Sequence, residues 1–234
     1  MLLLEVKDLS VFYDESCICN GVNLQIRNNE EICLLGRNGV GKTTLMKSIM
    51  RLVLSRKGSL IFDGADITCL APYEVAKAGI GYVPQGRMVF PNLTVLENLR
   101  IGMSARDDKT KAIPEIVFEY FPRLKERLKQ RGGTLSGGEQ QMLAIGRALC
   151  SAPKLLLLDE PLEGLSSGVI KEVMRILNRI CKETDMAFLI VEQNLDMALA
   201  MTTRGYVMEK GCIVAQGDVA ALQSEEIVRA HLMV

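Results

Sequence analysis

Short apolar runs recur along the chain in two rhythms. Leu2–Val6, Glu31–Leu35, Leu155–Leu158 and Ala187–Val191 have the length and content of strands. Leu155-Leu156-Leu157-Leu158 shows no polar alternation, the pattern of a strand covered on both faces in a parallel sheet. Between these runs the apolar residues take helical spacing. Leu45, Ile49 and Leu52 follow a glycine-rich segment, and Val169, Val173, Ile176, Leu177 and Ile180 fall on one face of a longer helix. Strands alternating with helices predict an α/β domain with a parallel sheet.

The stretch from Asn92 to Cys150 breaks that alternation. Thr94-Val95-Leu96-Glu97 is a capping box that opens a helix. Ser104–Lys111 reads as a polar, charged loop, and a further helical pattern runs over Ile113–Phe121 before Pro122. No strand signal lies here, so residues 92–150 are expected to form a helical insertion between two parts of one core, 1–91 and 151–234. Near the C-terminus, Gly205–Glu209 and Cys212–Gln216 flank Lys210-Gly211, the text of a hairpin turn.

Composition narrows the function. With 28 basic and 28 acidic side chains the chain lacks the basic surplus of a general nucleic-acid binder. No apolar run approaches the ~20 residues that cross a bilayer, and Met1–Val6 is too short and too soon charged for a signal peptide. These features predict a chain that stays in the cytosol. The seven cysteines form no CxxC pair, and Cys33 sits in an apolar run. Buried reduced thiols fit better than metal ligands.

The chemistry concentrates in two places. Gly36-Arg37-Asn38-Gly39-Val40-Gly41-Lys42-Thr43, followed by Thr44, matches G-x-x-x-x-G-K-[ST] between a predicted strand and a predicted helix. Glycines there let backbone N–H groups curl round phosphate oxygens, and the helix aims its positive end at the same anion. Lys42 is a mobile cation for the β- and γ-phosphates of ATP, and Thr43 offers a hydroxyl to Mg²⁺. The second place is Leu155–Leu158 running into Asp159 and Glu160. An acid at a strand end suits Mg²⁺, and the next acid suits the polarisation of an attacking water. Ser136-Gly137-Gly138-Glu139, after Leu135, reads locally as another capping box.

Leu135-Ser136-Gly137-Gly138-Glu139, placed between the phosphate loop and the Asp159 strand, resembles the LSGGQ signature of the ABC transporter ATPases, with Glu139 where Gln is commoner. The resemblance covers essentially the whole chain. It implies a P-loop NTPase fold with a RecA-like parallel core, an antiparallel β subdomain and an inserted α-helical subdomain. It also implies that Leu135–Glu139 contact the ATP of a second subunit, so that two chains, identical or different, sandwich two nucleotides. Tyr13, or its neighbour Phe12, stands where an aromatic stacks on adenine. Gln85, in Tyr82-Val83-Pro84-Gln85-Gly86, matches the glutamine that meets Mg²⁺ and links to the helical subdomain. Gly164-Leu165-Ser166 fits the loop that usually carries Asp. Gln193 occupies the position of the usual switch histidine, and the only histidine, His231, is expected at the surface. Gln can hydrogen-bond a phosphate there but carries no proton.

Gln85-Gly86-Arg87, Glu163-Gly164-Leu165 and Val191-Glu192-Gln193-Asn194 resemble the shorter ATPase of branched-chain amino acid importers and its relative in urea importers. Gln85-Gly86-Arg87 and Leu195-Asp196, with Tyr206-Val207-Met208-Glu209, lean towards the urea type. Such importers pair two ATPases with two membrane permease subunits on the cytoplasmic face of the membrane, fed by a periplasmic or lipoprotein solute-binding protein. Gln85, the helical insertion and the apolar Met88–Phe90 are then candidates for a groove that receives the permease. Two other classes fit less well. A soluble ABC ATPase acting on DNA or ribosomes usually carries a long coiled coil or a second cassette. A P-loop kinase or GTPase lacks the Leu135–Glu139 segment.

Overall fold

The computed structural model describes residues 1–106, 112–218 and 221–222. His231 and part of the Ser104–Lys111 segment lie outside them. The strands are β1 (Leu2–Tyr13), β2 (Ser16–Arg27), β3 (Glu31–Leu35), β4 (Ser55–Phe62), β5 (Ala65–Asp66), β6 (Ile80–Val83), β7 (Leu155–Asp159), β8 (Ala187–Glu192), β9 (Arg204–Glu209) and β10 (Cys212–Asp218). The helices are α1 (Lys42–Ile49), α2 (Pro72–Ala78), α3 (Val95–Gly102), α4 (Glu115–Tyr120), α5 (Pro122–Glu126), α6 (Gly137–Leu149), α7 (Ser167–Glu183) and α8 (Leu195–Leu199).

Two sheets form. An antiparallel sheet runs β2-β1-β4-β5, and a six-stranded sheet runs β10-β9-β3-β8-β7-β6. In the second, β6, β7, β8, β3 and β9 are parallel, and β10 adds an antiparallel edge through the Lys210-Gly211 hairpin. This is the expected α/β P-loop architecture with its antiparallel subdomain. The unalternating leucines are explained by their two-sided burial. Leu155 and Leu157 pack with α1 and the first sheet, while Leu156 and Leu158 pack with α7, α6 and α3. All four are fully buried, a gain of roughly 1.5–3 kcal/mol each by apolar transfer. Phe188 and Ile190 of β8 face the same layer as Leu156, against Val173, Ile176, Leu177 and Ile180 of α7.

Some expectations need correction. Leu52 does not continue the apolar face of α1: the helix stops at Ile49 and Leu52 is 54% exposed. The backbone turns there, with Arg51 in the left-handed region at φ +59°. β1 runs on to Tyr13, well past Val6, and α4 is shorter than Ile113–Phe121 because Pro114 precedes it and Pro122 follows.

Thr94 caps α3, accepting the Glu97 N–H at 3.2 Å, and Glu97 returns a 2.7 Å bond to the Thr94 N–H. α3 and α6 then pack closely. A Cβ at Gly102 would run into the Arg147 carbonyl, so the crossing requires glycine. Buried Asn98 accepts the Phe90 N–H at 2.9 Å and donates to the carbonyls of Phe90 and Thr94 at 3.1 and 3.0 Å, fixing the loop that enters α3.

Candidate active site

β3 is buried and delivers the chain to Gly36, and α1 begins at Lys42. Gly41 caps α1 with φ 110°, and a Cβ there would lie 2.8 Å from the Ile18 carbonyl. Only glycine meets both demands. Lys42 turns back over the loop. Its Nζ donates to the Gly36 and Arg37 carbonyls at 2.7 and 2.9 Å and lies 3.7 Å from Glu160 Oε1. Burial pushes the Lys42 ammonium below its ordinary pKa, opposed by the charges of Glu160, Asp159 and Glu192.

The parallel register of β7 beside β8 and β6 brings the acids to the same end of the sheet. Thr43 donates its hydroxyl to Asp159 Oδ1 at 3.1 Å, and Tyr82 donates to Oδ2 at 3.1 Å. Asp159 is fully buried, and burial raises its carboxyl pKa against the effect of these donors. Glu160 sits at φ +47°, its N–H bound to the Val191 carbonyl at 3.1 Å. This left-handed turn swings the second acid away from the strand direction and towards Lys42. Gln85 Nε2 donates to Glu160 at 3.1 Å and Glu163 at 3.0 Å. Burial raises the Glu160 pKa, and Lys42 lowers it.

Tyr13, Ile18, Asn38, Gly39, Gly41, Lys42, Thr43, Thr44, Gln85 and Glu160 line one cleft of about 430 Å³. Tyr13 is 46% exposed at its mouth, whereas Phe12 is half-buried and outside the lining. Gly36 and Asp159 are buried behind it, Arg37 is exposed, and Val40 packs against the core. Gln193 is exposed and does not line this cleft. Neither do Leu135–Glu139, which open α6 elsewhere. There Glu139 accepts the Ser136 N–H at 2.9 Å and its hydroxyl at 2.8 Å. That backbone bond is the main cause that holds the Glu139 carboxyl below its ordinary pKa, and Arg127, 3.1 Å away, adds to it.

Three residues escaped the sequence reading. Tyr82 lay inside the Gln85 segment but was given no role, because its bond to Asp159 needs the β6–β7 register. Ile18 reaches the cleft because β2 carries an extra residue there: Cys17 pairs with Phe12 and Cys19 with Val11, leaving Ile18 bulged. Glu192 is 5% exposed, with one carboxylate oxygen free of any partner among the described residues. Burial and the charge of Glu160 push its pKa up to about 7.

A phosphate-type loop with its lysine, facing a buried Asp-Glu pair at the end of a parallel strand, defines a P-loop ATPase. The profile described as "ABC transporter" matches residues 19–163, and the chain belongs to that family as an ATP-binding, ATP-hydrolysing member. It is 42% identical over 97% of both chains to the high-affinity branched-chain amino acid transport ATP-binding protein BraG of Pseudomonas aeruginosa. It is 35% identical, over 96% of this chain and 95% of the relative, to the probable branched-chain amino acid transport ATP-binding protein LivF of Archaeoglobus fulgidus. The lipopolysaccharide export system ATP-binding protein LptB of Escherichia coli K12 is 32% identical over 99% of this chain and 98% of its own. In fold it is similar to a nucleotide-free ATP-binding cassette from an ABC transporter, at TM-score 0.86 and 27% identity, covering 100% and 99% of the two chains. The ADP conformation of the cassette MJ1267 gives TM-score 0.85 at 28% identity, covering 98% of each.

Proposed function

We propose that this chain is the ATP-hydrolysing subunit of an ABC importer that takes up urea or a related small amide, with branched-chain amino acids as the second reading. The observation that carries the hydrolytic part is the joint placement of Lys42, Thr43, Asp159 and Glu160, with Lys42 Nζ 3.7 Å from Glu160 and Thr43 3.1 Å from Asp159. Similarity to BraG and LivF supports the importer branch and favours the amino-acid reading. The Gln85-Gly86-Arg87 and Tyr206–Glu209 texts favour urea.

On this reading Lys42 exchanges its bonds to the loop carbonyls for the β- and γ-phosphates of ATP, and the loop N–H groups hold the remaining phosphate oxygens. Tyr13 stacks on the base. The hard oxygens of Thr43, Asp159 and Gln85 fit Mg²⁺ by donor type, and among the described residues Lys42 is the one buried cation beside three buried acids. Bound there, Mg²⁺ supplies charge neutralisation to the phosphates. Glu160 takes a proton from the attacking water, and Gln193 hydrogen-bonds the γ-phosphate once the site closes. Ser136–Glu139 serve the nucleotide of a partner subunit, identical or different.

A second cavity supports a membrane partner. It measures about 440 Å³, is mostly apolar, and is lined by Met50, Tyr73, Ile80, Ile101 and Arg147 among others, where the helical insertion meets the sheet. Phe90 adjoins it through a 5.3 Å stack under Arg147. No helix of the described residues is long and apolar enough to cross a membrane. We therefore place the chain peripherally at the cytoplasmic face, with permease subunits seated in this groove and a solute-binding protein acting on them.

Uptake of labelled urea and leucine in a deletion strain tests the solute. Loss of urea uptake alone is the expected result. Loss of leucine uptake alone transfers the assignment to the second reading, and normal uptake of both overturns the importer reading.

A further inference from the structure

Arg87 does not line the cleft, yet it touches the start of α6, the Gly164 turn and Arg147. The chain is left-handed at three successive residues, Gly86, Arg87 and Met88, with φ of 75°, 67° and 43°. Two of these have side chains, so the turn is strained and the surroundings must hold it. This strain carries the guanidinium to the start of α6. A Cβ built on Gly137 would lie 2.9 Å from Nη1 and 3.3 Å from both Cζ and Nη2 of Arg87, so the planar head rests on the bare Gly137 backbone. The same Nη2 donates a long bond, 3.5 Å, to the carbonyl of Gly164, four residues after Glu160. Arg147 of α6 donates to the Arg87 carbonyl at 3.4 Å while its own guanidinium covers Phe90. No carboxylate pairs with Arg87 among the described residues.

We infer that Arg87 is a positioning residue for hydrolysis: it fixes the Ser136–Gly138 helix start and the Gly164 turn relative to one another, under the hold of Arg147 from the groove. A planar guanidinium suits this role because one rigid head meets both a backbone plane and a carbonyl. Both elements lie outside the chain's own cleft, so their setting acts on the nucleotide of the other subunit. The inference rests on the two-subunit reading above, in its form with two identical chains.

The left-handed backbone at Arg87 supplies the test. Arg87→Gly removes the side chain and relieves the strain, so folding is not at risk; Arg87→Asn, which tolerates the same backbone, is the second variant. Steady-state ATP turnover of the full chain is measured as kcat and KM, beside the thermal midpoint. Both variants are expected to lower kcat at least tenfold, with KM for ATP within twofold and the midpoint equal to or above wild type for Arg87→Gly. An unchanged kcat overturns the inference. So does a kcat loss that tracks a lowered midpoint, or a rise in KM that accounts for the whole loss. Turnover of the wild type is followed against chain concentration in the same series. A specific activity independent of concentration overturns the two-subunit reading, whereas a concentration-dependent wild type with unaffected variants overturns the Arg87 role alone.

Discussion

Glu192→Gln isolates the electrostatic load that the site places on the fold. Glu192 ends β8 with 5% of its surface exposed, one oxygen unpartnered, and the charge of Glu160 nearby. Burial is the larger cause of a carboxyl raised from 4.5 to about 7, with Glu160 second. The folded chain therefore holds a proton between about pH 4.5 and 7 that the unfolded chain has released. The contribution of Glu192 to stability is greatest below that window, falls as pH rises through it, and levels off above it. The full fall equals the free energy of moving the carboxyl to its raised value, about 3 kcal/mol. Gln keeps the shape and an acceptor for the Leu162 and Gln193 N–H groups, but it never ionises. Denaturant unfolding of wild type and variant from pH 4 to 8 should give nearly equal stability at the acid end. At pH 8 the variant should be more stable by about 3 kcal/mol, roughly 6–12 °C in midpoint for a domain of this size. Curves that stay parallel across the window would refute the reasoning, because a difference independent of pH cannot come from ionisation of Glu192.

Three further outcomes are expected. Glu160→Gln should abolish ATP turnover and retain ATP binding by fluorescent-nucleotide titration; unchanged turnover would remove Glu160 as the base. Gln193→His should keep hydrolysing ATP, and a dead enzyme would show that the position demands more than a hydrogen-bonding side chain. Tyr82→Phe takes a donor from the buried Asp159 carboxylate and should destabilise the chain by about 1–3 kcal/mol in denaturant unfolding. No change there would mean that water replaces the phenol.

What the chain's text revealed and what it hid follow from the physics of each element. Glu31–Leu35 and the 155–158 and 187–191 runs were legible because a strand buried on both faces must be apolar throughout, whatever its neighbours. The hairpin at Lys210-Gly211 and the caps at Thr94 and Ser136 were legible because they are local in sequence. β2 and β4 were not. They are half-exposed, and β2 is interrupted by Asn20, Gly21 and a bulge, so their pattern resembles a loop until β1 pairs with both. The short β6, Ile80-Gly81-Tyr82-Val83, carries a glycine because Pro153 and Leu156 approach it closely. The phosphate loop and the Asp159-Glu160 pair were readable as chemistry. Tyr82, Ile18 and Glu192 were not, since each owes its place to register or burial rather than to a local motif.

The balance of charge explains why such a site should work poorly in one chain. Asp159, Glu160 and Glu192 are all at least nine-tenths buried, and burial raises the pKa of each. Lys42 is the buried cation that opposes all three, and its own charge is disfavoured by the same burial. A triphosphate entering this cleft adds several negative charges beside groups already strained to stay ionised. On the proposed reading Mg²⁺ offsets part of that load, and the positive start of a partner's α6 offsets more, because the chain's own α6 does not open into its own cleft. Removing the partner leaves the γ-phosphate exposed to water and Glu160 inclined to take up a proton, which a general base cannot afford. The residues that bind ATP and those that complete its hydrolysis are therefore expected on different chains, and turnover should rise with chain concentration more steeply than in simple proportion.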